Sequence, residues 1–261
     1  MTKHEGKPIF VTGPNRSGTT WMQWFLSQHP RIRIHGQTPN IPWHFFWNVC
    51  QTMVEHGDWA RRANLQVGYE IAHYAGSDCQ RSREIFCRAF CEYLAGFGRP
   101  KPRWGIKWLE LCAVPGAAAE VEWLWPETRW IVCIRDPFVT ISSTKNTFVP
   151  DVDERALAQT WVNTCRFAES HQSRRVVLFQ MDRLAGQGEA ERLAAIRRVL
   201  ECVGEEPTEE TERFTREWPL VHKVRPDQQR TFTLSEEAKR RLLDDVPLLG
   251  FYLEKMGYDL P

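Results

Sequence analysis

The stretch VTGPNRSGTTWMQWF at residues 11–25 constrains the fold of this chain more than any other segment. A short apolar run leads into Gly13, Gly18 follows five positions later, and Thr19 opens a stretch with helical periodicity. This strand, glycine loop and helix have the order of a Walker A phosphate-binding element, G-x-x-x-x-G-K-[ST]. The position after Gly18 holds Thr19 instead of lysine, and the nearest cation, Arg16, lies inside the loop. The segment therefore predicts an α/β fold with an anion site that differs from a nucleoside-triphosphate site.

Strand-like apolar runs alternate with helical patterns along the chain. Strands separated by helices of this length form crossover units and a parallel sheet, and runs that are apolar throughout indicate helices on both faces. The predicted strands are 8–12, 31–35, 103–108, 129–134 and 175–179, and the predicted helices are 19–28, 42–60, 83–96, 114–124, 137–145, 153–173 and 187–204. The C-terminal third is mostly helical, with Ser235 as a helix N-cap. No repeat or long linker interrupts the chain, so we expect a single α/β domain spanning residues 1–261.

Composition argues against several classes of partner. Lys and Arg number 34 and Asp and Glu 33, so the net charge of +1 gives no general attraction to nucleic acid. The eight cysteines form no C-x-x-C pair and no Cys/His cluster with zinc spacing, which predicts reduced thiols and no metal site. The N-terminus leaves no room for a signal peptide, and no apolar run is as long as a membrane span, so we expect a cytoplasmic protein.

The glycine loop has the chemistry of an oxyanion cradle. Gly13 and Gly18 let the backbone turn so that several N–H groups converge on one point, and the following helix adds its positive N-terminal end. Ser17, Thr19 and Thr20 add hydroxyl donors. A loop with one arginine suits a smaller anion than a nucleoside triphosphate, which needs the lysine and Mg²⁺. The alternative is a glycine turn that is only capped by serine and threonine.

A second anion element follows the predicted strand 129–134. Ligands of open α/β sheets bind beyond the carboxyl ends of the strands, and this strand ends in Arg135-Asp136-Pro137. A guanidinium at that position is a poor Mg²⁺ site and a good phosphate site, so we expect no metal. Ser143, eight residues after Arg135, adds a hydroxyl to the same phosphate in this interpretation. In the alternative interpretation, Asp136 simply caps the next helix.

Together these segments resemble the sulfotransferases that use 3′-phosphoadenosine 5′-phosphosulfate (PAPS). PNRSGTTW resembles that family's 5′-phosphosulfate loop, and IVCIRDPFVTISS resembles its 3′-phosphate element, with the family's interval between Arg135 and Ser143. Three further segments are similar to the family. The stretch after the loop in bacterial and tyrosylprotein-type members resembles SQHPRIRIHGQTP, and the lysine-bearing strand resembles WGIKW. The family's Y-E-D-L strand end is similar to LFQMDRL, with Asp182 in register. The resemblance covers nearly the whole chain and is stronger to that branch than to the cytosolic branch.

The resemblance implies a P-loop-like, nucleoside-kinase-like fold and in-line transfer of a sulfuryl group from PAPS to an acceptor hydroxyl, leaving 3′-phosphoadenosine 5′-phosphate (PAP). It implies that loop residues 16–20 hold the 5′-phosphosulfate, with the arginine among them neutralising the departing phosphate. Arg135 and Ser143 are expected to hold the 3′-phosphate, and Lys107 to neutralise charge on the sulfonate. Trp21 matches the residue whose ring stacks on adenine, and its alternative role is that of a core tryptophan.

The family's general base is absent from both of its known positions. The cytosolic branch has a histidine where this chain has Leu109, and the tyrosylprotein-type branch has a glutamate where it has Gln37. His35 and His44 are the nearest groups whose ordinary pKa suits a base, and they are the expected catalytic histidines. Glu110, one residue beyond the cytosolic register, is a weaker alternative.

The sequence leaves alternatives for the second 3′-phosphate cation, for the acceptor and for the oligomeric state. The cytosolic R-K-G-x-x-G-D-W signature is absent, so Lys223, Arg225 or Arg230 is expected to supply the second cation for the 3′-phosphate. The aromatic segment at residues 42–49 favours a flat or apolar small-molecule hydroxyl acceptor. We expect a monomer or a homodimer. The alternatives to a sulfotransferase are a P-loop small-molecule kinase, which the missing lysine disfavours, and a non-catalytic nucleotide-binding member. The missing bases leave the second alternative open, and the presence of both cofactor elements argues against it.

Overall fold

Five short parallel strands form the central sheet. They are β1 (Ile9–Thr12), β2 (Ile32–His35), β3 (Arg103–Lys107), β4 (Arg129–Ile134) and β5 (Val176–Gln180). The strands pair in the order β2-β3-β1-β4-β5, so β1 lies in the middle. Val11 lies opposite Lys107 of β3, and Thr12 lies opposite Val132 of β4. This register brings the carboxyl ends of the three central strands to one edge of the sheet.

The computed structural model describes residues 7–36, 101–114, 116–147, 151–171, 175–217 and 232–261. All of these residues belong to one compact unit, and the second unit of the chain, residues 1–6 and 37–100, lies outside them. The helices of the described part are α1 (Thr19–Gln28), α2 (Ala117–Leu124), α3 (Pro137–Thr147), α4 (Glu154–Ser170), α5 (Met181–Ala185), α6 (Glu189–Val203), α7 (Glu209–Glu217), α8 (Glu236–Asp245) and α9 (Leu249–Met256), with a 3₁₀ turn at Leu111–Ala113.

The predicted fold class is confirmed, because the structure is a parallel α/β sheet with helices around it. The strand ends differ from the predicted ones by no more than one residue. The predicted helix 114–124 begins only at Ala117, because Gly116 has a left-handed φ of 81° that a continuous helix cannot contain. The predicted helices 42–60 and 83–96 lie outside the described residues, and a single domain over residues 1–261 stays a prediction.

Helix α1 is fixed by its apolar stripe and by its ends. Trp21, Met22, Phe25 and Leu26 are buried and recur with the spacing of one helix face. The helix ends at Gln28, and His29 is extended because the following residue is proline, which disfavours a helical conformation before it. The stripe therefore anchors α1 to the sheet and fixes its N-terminus at the end of β1.

The two faces of the sheet are covered by separate groups of side chains. Ile9 and Val11 of β1 pack in a cluster that includes residues of α1, α6 and α7. Phe10 points to the other face, where its ring lies 5.1 Å from that of Trp130. This alternation explains why the strands are apolar throughout. Within the described residues, no helix is long and apolar enough to cross a membrane.

Candidate functional site

The glycine loop between β1 and α1 depends on two left-handed glycines. Gly13 has φ 147°, and a Cβ there would lie 2.1 Å from the carbonyl oxygen of Cys133 on β4. Gly18 has φ 95° and is the N-cap of α1. Arg16, between them, also adopts a left-handed φ of 66°, which is uncommon for a residue with a side chain. These three positions turn the loop tightly around the end of β1, as the glycine spacing predicts.

The hydroxyl groups of the loop are not all directed outwards. Ser17 is fully buried, and its hydroxyl donates to the carbonyl oxygen of Pro14 at 2.7 Å. Thr19 is 3% exposed, whereas the Thr20 hydroxyl accepts a hydrogen bond from Lys107 Nζ at 3.3 Å. The predicted role of Ser17 as a hydroxyl donor to an anion is corrected accordingly, since its proton already serves to brace the loop. The first turn of α1 contains no acidic residue, so its N–H groups remain suited to an anion.

The two predicted anion elements meet through Arg16 and Ser143. Arg16 Nε donates to Ser143 Oγ at 3.0 Å. Ser143 lies in the second turn of α3, which begins immediately after the Arg135-Asp136 strand end. The loop arginine thus reaches across to the helix after β4, and one cation is shared by both elements.

A cavity of about 430 Å³ opens beside this contact. It is lined by Arg16, Arg135, Asp136, Phe138, Val139, Ser142, Ser143, Asn146, Thr147, Phe232, Thr233, Leu234, Glu236, Lys239, Asp259, Leu260 and Pro261. Two of its carboxylates already have partners, since Asp136 Oδ1 accepts from the Val139 N–H at 2.9 Å and Glu236 pairs with Lys239 at 2.6 Å. Among the described residues, the Arg135 guanidinium forms no ion pair. The cavity therefore offers a half-buried guanidinium that has no ion-pair partner in the part of the chain that the structure describes.

Asp182 holds the Arg135-Asp136 turn in place. Its Oδ2 accepts from the Asp136 N–H at 2.8 Å, and its Oδ1 accepts from the Tyr258 hydroxyl at 2.9 Å. The indole N–H of Trp161 donates to the Arg135 carbonyl oxygen at 2.8 Å. The sequence places Asp182 in the register of the family's strand end but does not indicate this role. Asp136 does cap α3, in agreement with its alternative interpretation.

A second polar group lies on the β3 side of the loop. Asn15 Nδ2 donates to Glu110 Oε1 at 2.7 Å, and the Glu110 N–H donates to the Gly13 carbonyl oxygen at 2.9 Å. Glu110 has a left-handed φ of 62°. Lys107, at the end of β3, is half-buried, and burial lowers its pKa from the ordinary value. None of these β3-side residues lines the cavity described above.

Trp21 is a core residue in this structure. Its side chain is 2% exposed. Its indole stacks on the rings of Phe25 and Phe179, with ring centroids 5.4 and 5.8 Å apart. The ring centroid of Phe214 lies 5.6 Å from that of Trp21. A ring enclosed in this way has no accessible face for an adenine base. The predicted stacking role of Trp21 is corrected to a packing role, which its position on the buried stripe of α1 explains.

The structure describes one of the two expected catalytic histidines. His35 ends β2, and burial, together with the nearby Arg33, lowers its pKa to about 4. It is therefore neutral at neutral pH, as a proton acceptor must be, but it is a weak base. His44, Lys223 and Arg225 lie outside the described residues, so their predicted roles stay predictions.

Comparison with known proteins points to one family. A sequence model described as "Sulfotransferase family" matches residues 8–206. A Caenorhabditis briggsae protein that carries the name of a protein-tyrosine sulfotransferase is 26% identical over 220 residues. That match covers 79% of this chain, and the chain spans 63% of the length of this relative.

Solved structures share the fold. The sulfotransferase domain of a Synechococcus olefin synthase has a TM-score of 0.56 at 17% identity, with 99% of this chain and 97% of that one covered. A sulfotransferase from Alicyclobacillus acidocaldarius has a TM-score of 0.53 at 15% identity, with 97% of both chains covered. At these identities the likeness shows the fold alone.

Proposed function

The chain belongs to the sulfotransferase family, and from this premise we propose that it transfers a sulfuryl group from PAPS to a hydroxyl group of an acceptor. The observation that carries the proposal is the contact of 3.0 Å between Arg16 Nε and Ser143 Oγ. It joins the loop that the resemblance assigns to the 5′-phosphosulfate to the helix that it assigns to the 3′-phosphate. A donor that carries anionic groups at both its 5′ and 3′ ends fits two anion elements in contact.

The cavity beside this contact suits the donor nucleotide. Its volume of about 430 Å³ lies within the range of small-ligand sites, roughly 300–1,000 Å³. Arg135 supplies a guanidinium for the 3′-phosphate, and Ser143 supplies a hydroxyl. Lys223 or Arg225, outside the described residues, provides the second cation in this proposal. Trp21 is left out, because its ring is enclosed in the core.

In the proposed reaction, the acceptor oxygen forms a bond to sulfur while the bond from sulfur to the bridging phosphate oxygen breaks. The electron pair of that bond stays on the 5′-phosphate of PAP. Arg16 neutralises the charge that develops there, and the N-terminus of α1 adds N–H donors and its dipole. Lys107, at the end of β3, neutralises charge on the transferring sulfonate. These two side-chain cations take the place of the Walker lysine and Mg²⁺, so the proposal includes no metal.

The acceptor is proposed as a hydroxyl compound, and two classes follow from different observations. The aromatic segment 42–49 of the sequence favours a flat or apolar small molecule. The name of the Caenorhabditis briggsae relative favours a protein tyrosine. Both classes include phenols, whose acidic hydroxyl reduces the need for a strong base, and this agrees with the absence of the family's base from its known positions.

Ligand-dependent thermal stability tests the donor assignment. We expect PAP without metal to raise the melting temperature far more than 5′-AMP does, because only PAP carries the 3′-phosphate. Arg135→Ala should weaken PAP binding about tenfold or more, since a charge-assisted hydrogen bond contributes roughly 1.5–3 kcal/mol. Arg198→Ala, an exposed arginine of α6, serves as the matched control and should leave PAP binding unchanged. Equal stabilisation by AMP and PAP contradicts the assignment, and stabilisation by ATP only with Mg²⁺ supports a kinase instead.

Transfer of label from PAPS tests the reaction and the acceptor class. The wild-type protein is incubated with sulfur-labelled PAPS and panels of simple phenols, primary alcohols and tyrosine-containing peptides. We expect labelled sulfate ester on at least one panel and stoichiometric formation of PAP. PAP binding without transfer to any panel supports the non-catalytic alternative and contradicts the proposed activity.

A further inference from the structure

Two adjacent residues of the glycine loop contact residues that follow the two strands flanking β1. Asn15 donates to Glu110, which follows β3, and Arg16 donates to Ser143, which follows β4. Because β1 lies between β3 and β4, these contacts divide the surroundings of the loop into a β3 side and a β4 side. The cavity with its phosphate-binding cation, Arg135, lies on the β4 side.

The acceptor is expected to bind on the β3 side of the loop. In-line displacement requires the incoming oxygen to approach sulfur from the side opposite the departing phosphate. With the nucleotide in the cavity on the β4 side, the acceptor must approach from the β3 side. Lys107, which has its Nζ 3.3 Å from Thr20 Oγ1, lies there. The group that takes the acceptor proton therefore belongs on this side as well.

Glu110 is tied to the loop at two points on this side. Its N–H donates to the Gly13 carbonyl oxygen at 2.9 Å, and its Oε1 accepts from Asn15 Nδ2 at 2.7 Å. Within the described ranges, its Oε2 makes no hydrogen bond with the protein. The carboxylate is thus oriented by one amide and keeps an oxygen to accept another proton.

His35 lies farther from the loop than Glu110 does. It ends β2, and β3 separates β2 from β1 in the sheet. Neighbouring strands are about 4.8 Å apart, so the end of β2 lies roughly 10 Å from the end of β1. Glu110 instead hydrogen-bonds directly to loop residues. The topology therefore favours the carboxylate over this histidine.

From this geometry we propose that Glu110 is the general base of the proposed sulfuryl transfer. As the acceptor oxygen forms its bond to sulfur, its O–H proton passes to Glu110 Oε2, and PAP leaves with the electron pair of the broken S–O bond. The protonated carboxyl then releases the proton to water. Asn15 acts as a positioning residue that holds the other carboxylate oxygen. The inference rests on the proposed transfer, and it replaces the expectation that a histidine is the base.

Acceptors of different acidity provide the test. Glu110→Gln keeps the shape of the side chain but cannot take a proton. With the fastest acceptor of the panel whose hydroxyl is protonated at pH 8, a primary alcohol or a tyrosine-containing peptide, we expect kcat/KM to fall about 10²–10⁴-fold. With 4-nitrophenol, which is largely ionised at pH 8, we expect less than a fivefold change, on the order of the loss of a single weak contact. The PAP-induced rise in melting temperature should stay at the wild-type value. Glu201→Gln, an exposed glutamate of α6, is the matched control.

A pH profile separates a base from a structural carboxylate. Asn15→Asp places a second carboxylate against Glu110, and two carboxylates sharing one site raise one of their pKa values. The acidic limb of the kcat/KM profile should move to higher pH in Asn15→Asp and disappear in Glu110→Gln. Wild-type sulfation of the protonated acceptor by Glu110→Gln, or an equal loss with that acceptor and with 4-nitrophenol, overturns the inference. Failure of the transfer proposal differs from both, because the wild-type protein then forms no sulfate ester at all.

Discussion

Arg16 Nε donates to Ser143 Oγ at 3.0 Å, although 127 positions separate the two residues in the sequence. Arg16 holds this contact from a left-handed backbone conformation with φ 66°. Such a conformation costs on the order of 1–3 kcal/mol in a residue with a side chain, and it concentrates at functional sites. The strain and the contact together place one guanidinium between the glycine loop and the helix after β4.

Substitution of Arg16 should affect turnover more than donor binding. If its charge acts mainly on the departing phosphate, Arg16→Ala should lower kcat about 10²-fold or more while the PAPS dissociation constant rises less. Arg16→Lys should keep appreciable activity, because a cation remains in the loop. Single-turnover kinetics with labelled PAPS separates the two constants, and a wild-type rate in Arg16→Ala would show that this arginine has no part in transfer.

The contact of Arg16 with Ser143 predicts non-additivity in PAP binding. Ser143→Ala removes both a partner of Arg16 and a hydroxyl of the 3′-phosphate element. In the double variant Arg16→Ala/Ser143→Ala, the loss of PAP affinity should differ from the sum of the single losses by about 0.5–3 kcal/mol, as expected for residues in contact. Calorimetric titration of the four proteins with PAP measures this difference. Simple additivity would mean that the two elements bind PAP independently.

Gly13 should be the least replaceable glycine of the loop. An alanine there must adopt φ 147°, and its Cβ would lie 2.1 Å from a backbone carbonyl oxygen that cannot move aside. We expect Gly13→Ala to lower the free energy of unfolding by more than about 3 kcal/mol. Gly18→Ala should cost less, because the nearest atom to its Cβ would be the terminal methyl group of the Met181 side chain, which can change rotamer, and not a backbone atom. Gly186→Ala is the matched control, since its φ is −91° and its Cβ would have open space.

Urea unfolding monitored by circular dichroism checks this order. The control should be neutral or slightly more stable, because alanine restricts the unfolded chain. A Gly13→Ala protein as stable as Gly186→Ala would contradict the close approach of the loop to β4.

The sequence predicts the strands, the glycine loop and α1 well, because the signals for these elements are local. Apolar runs and glycine spacing depend on neighbours a few positions away, and the strand ends agree within one residue. The direction of a side chain depends on tertiary packing, so helical position alone did not show that Trp21 packs against Phe179. The role of Asp182 could not be predicted for the same reason, because its hydrogen-bond partners, Asp136 and Tyr258, are distant from it in the sequence.

Asp182 should control PAP binding without touching the nucleotide. Its two oxygens accept from the Asp136 N–H and the Tyr258 hydroxyl, and burial, together with this carboxylate, raises the pKa of Tyr258, so the tyrosine stays a neutral donor. Asp182→Asn removes the negative charge and replaces one of the two acceptor oxygens with an NH₂ group, so the side chain can no longer accept from both the Asp136 N–H and the Tyr258 hydroxyl. We expect a loss of about 1–3 kcal/mol in stability and weaker PAP binding through the displaced Arg135 turn.

Two further variants are compared with Asp182→Asn: Tyr258→Phe, which removes one of the two hydrogen bonds, and Asp244→Asn, the control. Tyr258→Phe removes one hydrogen bond and should cost less than Asp182→Asn. Asp244→Asn, on the exposed surface of α8, should change neither stability nor PAP affinity. If Asp182→Asn binds PAP as the wild type does, the carboxylate only anchors the C-terminal residues.

His35 should make the protein less stable in mild acid. Burial, with a smaller effect of Arg33, lowers its pKa in the folded state to about 4, from 6.5 in an unperturbed histidine. Between these pH values the unfolded chain binds a proton that the folded protein does not bind, so the free energy of unfolding falls as the pH drops from 6.5 towards 4.

The variant His35→Gln tests this pH dependence, because glutamine does not titrate and the variant therefore lacks this contribution. From pH 7 to pH 4.5, the wild type should lose roughly 1–3 kcal/mol more than His35→Gln. Burial also lowers the pKa of His29. His29→Gln should therefore also lose less free energy of unfolding than the wild type between pH 7 and pH 4.5. Urea unfolding at the two pH values measures each difference, and equal losses in the wild type and His35→Gln would show that His35 is solvated and titrates normally.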